Sequence, residues 1–324
     1  MLVPERSDDG IQLPAPARRG PERAPVGVLL VGHGSRSRLG AQQMHRIADA
    51  VAAARPGMAI ELGFLEMSDP PATLALDDLV ARGCRQIVVL PLLLLGAGHA
   101  KSDVPAVVIE GRERHPHVAI TYGSPLGVTT ELVAIAGANV AAAVLAISGT
   151  RTGGAPRGSL PLLVVARGTS DPDANAQATR AARLVAEWHG STLLHVGFTG
   201  MTWPSVPDSL EQMAALTPGP FAVFFWFLCH GRLIERARRQ IAAFQAASDR
   251  VVVDAGYLGP DPALVAPVLA RIDEALDGVV VTNCDTCRFR AAFPGHGDDV
   301  GHPVGAGHSH LALEHRNHAD AGRS

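Results

Sequence analysis

Two histidines and one glutamate in the first third of the chain have the side-chain chemistry needed to bind a metal or move a proton. His33 lies in VGHGSR, Glu66 ends GFLE, and His99 lies in LGAGHAK. Neutral imidazole suits borderline cations such as Co²⁺, Fe²⁺ and Ni²⁺, and with a pKa of about 6.5 it also accepts a proton near neutral pH. A carboxylate can supply an oxygen ligand or take a proton. If the fold brings them together, these three residues predict one reactive site.

Each of the three candidates follows a segment that the apolar pattern predicts to be a strand. Strands alternate with helical periodicity, which favours an α/β fold with a parallel sheet covered on both faces. In a flavodoxin-like strand order of 2-1-3-4, strands one and three are neighbours, about 4.8 Å apart, and flank the ligand-binding edge. His33 and His99 are therefore expected to face one cleft. The predicted elements are strands at 26–31, 59–64, 86–95 and 118–122 and helices at 38–55, 71–82, 102–114 and 129–147.

The chain also repeats itself at an offset of 134 residues. This register aligns VLLVGHGSR with LLVVARGTS, GFLE with GFTG, and IVVLPLLLL with FAVFFWFLC. Three matching blocks in one ungapped register indicate a tandem duplication, so the sequence predicts two flavodoxin-like parallel-sheet domains with an irregular C-terminal tail. The expected division is a disordered extension at 1–25, a catalytic half at 26–148, a linker at 149–160, a degenerate half at 161–280 and a tail at 281–324.

The second half keeps the framework but loses the reactive side chains. Arg167 occupies the position of His33, Gly200 that of Glu66 and Leu233 that of His99. Chemistry is therefore expected in the first half, with the second half as the opposite wall of a cleft. Arg167 could hold an acidic ligand group through a bidentate hydrogen bond, or it could be an ordinary surface arginine.

The three segments resemble one known family. VGHGSR, GFLE with its following proline, and VLPLLLLGAGHAKSDVP closely resemble the sirohydrochlorin cobaltochelatase/ferrochelatase family, class II-type chelatases that insert a divalent metal into a tetrapyrrole. The resemblance covers about residues 26–280 and includes a two-domain form in which only the first half keeps both histidines. It implies that His33 and His99 bind the metal and take part in insertion, with Glu66 as a catalytic group. VLPLLLL departs from the family where an aromatic often lies among the leucines.

The resemblance also implies the substrates. The family inserts Co²⁺, for cobalamin, or Fe²⁺, for sirohaem. The histidine-rich end of this chain favours Co²⁺, with Ni²⁺ as a further alternative. Sirohydrochlorin carries eight carboxylates, so polar and basic residues near the mouths of the two sheets are expected to bind it. These are Ser35, Arg36, Arg38, Lys101 and Arg167.

A CxxC pair and a histidine-rich stretch follow the second half. Cys284 and Cys287 could be half of a metal site or a reduced pair, and the resemblance to longer family members adds an iron–sulfur cluster as an alternative. Six of the 14 histidines follow Gly295, among them His308 and His310. Such a stretch cannot form a packed core and is typical of an accessory metal site. We expect a metal-sequestering or delivery tail that the chemistry itself does not need.

Composition excludes several classes of protein. The 324 residues are 47% apolar and 18% charged, which suits two packed domains, and the net charge of −3 gives no basic surface for nucleic acid. The longest apolar runs are too short to span a bilayer, and residues 1–25 have no signal-peptide core. These features predict a cytoplasmic protein without membrane or nucleic-acid partners. Because an internal duplication can replace a homodimer, a monomer is expected.

Two other functions remain open on the sequence. A metal-storage protein or metallochaperone would use the histidines only to hold a cation, although a cleft between two sheets would then have no purpose. A phosphate-handling hydrolase could use the glycine-rich turn before a helix as an anion site. Histidine phosphatases, however, carry an arginine directly before the histidine, where this chain has Gly32.

Overall fold

The computed structural model describes residues 24–148 and 160–280. The predictions for the N-terminal extension before residue 24, for 149–159 of the linker and for the tail at 281–324 therefore lie outside the described residues. Within these two ranges, no helix combines the length and the apolar character needed to cross a membrane.

Two four-stranded parallel sheets form the framework. The first sheet has the strand order β2-β1-β3-β4 and the second has β6-β5-β7-β8. Both match the predicted flavodoxin-like order 2-1-3-4. The α/β class and the tandem arrangement of two similar parallel sheets are confirmed. The first half contains β1 (Val26–Gly32), α1 (Arg38–Ala54), β2 (Met58–Phe64), α2 (Ala72–Ala81), β3 (Gln86–Pro91), α3 (Val104–Arg114), β4 (Ala119–Tyr122) and α4 (Thr130–Ser148). The second half contains β5 (Leu162–Ala166), α5 (Pro172–His189), β6 (Leu194–Phe198), α6 (Val206–Leu216), β7 (Phe221–Phe225), α7 (Arg232–Ser248), β8 (Val252–Tyr257) and α8 (Val265–Leu276).

The strands β1, β5 and β7 are continuous apolar runs, as expected where helices cover both faces of a sheet. β5 and β7 are buried at every residue, and β1 is buried from its second residue onward.

Side-chain caps mark the beginnings of α1 and α5. The Ser37 side chain accepts a hydrogen bond from the Gly40 N–H, and the Asp171 side chain accepts one from the Asp173 N–H. For these two helices, the local sequence therefore determines where the helix begins.

The last helix of each half packs on the sheet of the other half. α4 contacts β7, β8 and α5, whereas α8 contacts β3, β4 and α1. One hydrophobic core consequently runs through both halves and joins residues such as Val28, Leu132, Val164 and Ile272. Two smaller cores lie on the outer faces of the sheets. The boundary between the halves along the chain is therefore not a boundary in the packing.

The segment around His99 differs from the prediction. β3 ends at Pro91 rather than at residue 95, although Leu92 and Leu94 stay buried. Apolar character continues into the core after hydrogen-bonded pairing stops, so hydrophobicity alone could not locate the end of the strand. The helical segment begins earlier than residue 102, because a π-helical turn over His99–Asp103 precedes α3. His99 therefore lies on a helical turn and not in a loop.

Candidate metal centre

His33 lies directly after β1, in a loop that is fastened to the loop carrying Glu66. The Glu66 N–H donates to the His33 carbonyl oxygen at 3.1 Å, and the Leu65 N–H donates to the Gly32 carbonyl oxygen at 3.0 Å. Gly34, the residue after His33, has a φ of 95°, and a Cβ there would lie 1.6 Å from the Glu66 carbonyl oxygen. Only glycine allows this approach. The backbone thus fixes the distance between His33 and Glu66.

Three potential ligands converge at the carboxyl edge of the first sheet. The rings of His33 and His99 have centroids 4.3 Å apart at an interplanar angle of 71°. His33 Nδ1 is 3.3 Å from Glu66 Oε1. One ligand atom from each of the three residues lies within 4.8 Å of the others, a spacing at which they could coordinate one cation. His99 is buried, His33 is half-buried and Glu66 is exposed, so the cluster opens toward solvent on one side.

Asp103 orients His99, and the sequence analysis missed it. His99 Nδ1 is 2.5 Å from Asp103 Oδ2, one helical turn further along. A ring that donates its Nδ1–H to a carboxylate keeps Nε2 available for a cation and becomes a more basic ligand. The Tyr122 hydroxyl donates to the Ala100 carbonyl oxygen at 2.7 Å and fastens the same turn to β4. The four-residue spacing between His99 and Asp103 was the available signal.

The three predicted substrate-binding residues after His33 are Ser35, Arg36 and Arg38, and they differ from one another in their surroundings. The Ser35 N–H donates to Ser68 Oγ at 3.0 Å, and Ser35 Oγ accepts from the Ser37 N–H at 3.0 Å. Ser35 therefore closes the loop between β1 and α1. Arg36 and Arg38 are exposed beside it.

Lys101 points into an ion pair with the second half. Its Nζ donates to Asp171 Oδ2 at 2.8 Å and to Asp173 Oδ2 at 3.1 Å, and all three side chains are largely buried. Burial opposes the charge on Lys101, but the hydrogen bonds and charges of the two carboxylates outweigh it and raise the pKa of the ammonium. Substrate binding by Lys101 stays a prediction, and the observed contacts are with protein.

Arg167 lies across the cleft from Glu66. Arg167 directly follows β5, as His33 directly follows β1, and it retains solvent exposure. The surrounding protein nevertheless desolvates the guanidinium and lowers the pKa of Arg167, while the charge of Glu66 raises it in part. Glu66 is thus a charged group of the first half that acts on Arg167, and substrate binding by Arg167 stays a prediction.

Comparison with known proteins gives the family. The sequence profile of the CbiX family matches residues 27–143 and, a second time, residues 161–275. The chain belongs to the CbiX family. The two matches fall on the two sheets and support the duplication, and the family resemblance seen in the sequence is confirmed.

Relatives of this CbiX protein are named as chelatases. It is 33% identical to the sirohydrochlorin cobaltochelatase of Priestia megaterium over 277 residues, which covers 84% of this chain and 87% of that protein. It is 28% identical to the sirohydrochlorin ferrochelatase of Bacillus subtilis, covering 76% and 90%. The structure of SirB from Bacillus subtilis with Fe³⁺ superposes with a TM-score of 0.66 at 26% identity, covering 78% of this chain and 97% of SirB. A second structure of this chelatase, from the subspecies spizizenii, contains cobalt.

The accessory metal site predicted for the CbiX chain at Cys284, Cys287, His308 and His310 lies outside the described residues. Among the described cysteines, Cys84 is buried and Cys229 is half-buried, and both are free. Burial raises the pKa of the Cys84 thiol, and it raises the pKa of the Cys229 thiol to about 12. These two thiols are therefore poor ligands and poor nucleophiles at neutral pH.

Proposed function

We propose that the chain is a sirohydrochlorin chelatase, an enzyme that inserts a divalent metal into this tetrapyrrole. The observation that carries the proposal is the convergence of His33, His99 and Glu66 on one open site. The names of the relatives, both cobaltochelatase and ferrochelatase, agree with it. In this proposal, His33 and His99 are the metal ligands and catalytic residues, and Glu66 is the third catalytic group.

The site meets the chemical needs of metal insertion. The metal must be held and partly stripped of water, and it must then leave for the macrocycle. Two imidazoles and one carboxylate leave coordination positions open, whereas a closed site with four protein ligands would retain the ion. Insertion also releases two pyrrole protons. Glu66 is exposed, and its carboxylate lies beside His33 Nδ1. It is therefore placed to accept a pyrrole proton from the tetrapyrrole that receives the metal.

The second half acts as the opposite wall that holds the acidic macrocycle. Arg167 supplies a guanidinium close to Glu66, and a guanidinium binds a carboxylate through two parallel hydrogen bonds. Arg36 and Arg38 are exposed beside the His33 loop and add positive charge at the same mouth. Ser35, in the same loop, is the fourth residue that we assign to substrate binding.

Cobalt is the metal we propose, which assigns the enzyme to cobalamin biosynthesis. The histidine-rich tail and the 33% identity to a cobaltochelatase support it. Fe²⁺, for sirohaem, and Ni²⁺ would suit the same imidazoles. We propose further that the enzyme is a cytoplasmic monomer, that the tail delivers metal, and that Cys284 and Cys287 belong to an accessory metal or iron–sulfur site.

A metal-storage protein or metallochaperone is the competing function. It would account for the three ligands and the tail, but not for an arginine placed opposite them on a second sheet. The visible spectrum of sirohydrochlorin separates the two, since metal insertion changes it. An anaerobic assay compares Co²⁺ with Fe²⁺ for the wild-type chain, His33→Ala and His99→Ala. A chelatase accelerates the spectral change and both variants return it to the uncatalysed rate, whereas a storage protein leaves that rate unchanged or slows it.

A further inference from the structure

Two contacts between the halves lie next to the two histidine-bearing segments. One joins Lys101, two residues after His99, to the beginning of α5. The other joins the beginning of α1, four residues after His33, to His230, which follows β7. Each contact therefore links a segment that carries a candidate metal ligand to the half that carries none.

The first contact is a buried ion pair. Lys101 Nζ binds Asp171 Oδ2 and Asp173 Oδ2, and both carboxylates belong to the first turn of α5 or its N-cap. The Gln177 amide donates to Asp173 Oδ2 at 3.0 Å, one turn further along the helix. The buried ion pair and the hydrogen bond from the Gln177 amide therefore hold the turn that carries His99 against α5.

The second contact is a network of hydrogen bonds. His230 Nδ1 is 3.0 Å from Ser37 Oγ, the N-cap of α1. The backbone N–H of His230 donates to Gln43 Oε1 at 2.7 Å, and Gln43 Nε2 donates to the Tyr257 hydroxyl at 2.7 Å. A Cβ at Gly40 would lie 2.2 Å from the His230 carbonyl oxygen, so the first turn of α1 lies directly against this segment.

The two contacts are counterparts under the internal duplication. Ser37 and Asp171 are 134 residues apart, as are Gln43 and Gln177, and in each half the N-cap side chain reaches the opposite half. We infer that Asp171 and His230 are positioning residues, through which the second half holds the His33 and His99 segments at the separation that one cation requires. The inference rests on the proposed function, and it gives the half without ligands a second task beside substrate binding.

The physical reason is that contacts within the first half hold each ligand segment on one side, and the contacts with the second half restrain it on another. His33 and His99 follow different strands, and their ring centroids are 4.3 Å apart only while both segments keep their places. A contact two to four residues away restrains the backbone of each segment. Removal of a group that hydrogen-bonds directly to a metal ligand changes metal affinity by about ten- to a hundred-fold, so we expect the lower end of this range for restraints that act through a neighbouring residue.

Cobalt binding without sirohydrochlorin tests the inference on the full-length chain. The binding of Co²⁺ is titrated for wild type, Asp171→Asn, His230→Ala and His230→Asn, and the signal of a His33→Ala/His99→Ala double variant is subtracted as background from the rest of the chain. Asparagine at 171 still caps α5 but removes one of the two negative charges that hold Lys101. Asparagine at 230 can keep a polar atom near Ser37 Oγ.

A matched control removes another ion pair between the two halves. Arg55 Nη2 binds Asp273 Oδ2 at 2.6 Å, at the opposite end of α1 from His33. We expect Asp171→Asn and His230→Ala each to weaken cobalt binding about ten-fold, His230→Asn to recover most of the affinity, and Asp273→Asn to match wild type.

Each outcome of the titration either supports the inference or contradicts it. If Asp171→Asn and His230→Ala lower the melting temperature but keep wild-type cobalt affinity, the second half only stabilises the fold and the inference is wrong. If wild type shows no cobalt binding above the double variant, the metal site itself is wrong, and the proposed function fails with it. The two contacts are independent, so misfolding of one variant leaves the other to decide.

Discussion

Replacing Asp103 with asparagine tests the orientation of His99 separately from the ligand itself. The Asp103 carboxylate lies 2.5 Å from His99 Nδ1, and only 7% of His99 is exposed, so the imidazole side of this hydrogen bond is shielded from water. A hydrogen bond to a charged group contributes about 1.5–3 kcal/mol, and one to a neutral group about 0.5–1.5 kcal/mol. The loss of about 1.4 kcal/mol corresponds to about ten-fold weaker Co²⁺ binding.

The assay is an equilibrium titration with Co²⁺, again relative to the His33→Ala/His99→Ala background. Asp77→Asn is the matched control, because Asp77 Oδ1 lies 2.6 Å from His115 Nε2 in a second histidine–aspartate pair outside the metal centre. We expect Asp103→Asn to bind cobalt about ten-fold more weakly and Asp77→Asn to bind it as wild type does. Wild-type affinity in Asp103→Asn, or an equal loss in both variants, would refute the reasoning.

Three further variants or reagents test other parts of the site. Gly34→Ala should lower the free energy of unfolding, measured in urea, by about 2 kcal/mol or more, because the new Cβ would meet the Glu66 carbonyl oxygen. Gly57→Ala is the control, since a Cβ there lies in open space and should lower the free energy of unfolding far less. Equal losses in the two variants would contradict this prediction. Arg167→Ala should raise the KM for sirohydrochlorin about ten-fold with little change in kcat, and an unchanged KM would remove Arg167 from substrate binding. Cys229, whose pKa is raised to about 12, should resist iodoacetamide at pH 8 in the folded chain and react after unfolding, as peptide mass spectrometry would show; rapid labelling of the folded chain would contradict its burial.

The position of the metal centre follows from the sequence because strand ends share one edge. His33 and His99 each come after a buried apolar run, and a parallel sheet with the order β2-β1-β3-β4 places those two ends side by side. The duplication placed Arg167 at the position equivalent to His33, and its role stays a prediction. Local pattern and topology were sufficient to bring His33, Glu66 and His99 to one edge of the sheet.

What the sequence did not reveal depends on long-range packing. The apolar positions of α4 and α8 predict a buried face, but they do not say which sheet covers it, so the exchange of these helices between the halves was not predictable. Lys101 was predicted to bind substrate from its place near His99, whereas its observed partner Asp171 lies 70 residues further along the chain. Asp103 was missed because its role depends on the π-helical turn that begins at His99.

The central claim is that His33, His99 and Glu66 bind one cation. Anomalous scattering from a crystal of the full chain soaked with Co²⁺ tests it most directly. We predict one strong peak within about 2.1 Å of a nitrogen of each imidazole, the distance typical of imidazole ligands to zinc, with Glu66 beside it. This peak should vanish in the double variant. Cobalt bound to either imidazole alone, or bound elsewhere while the two rings keep their separation without it, would contradict the account.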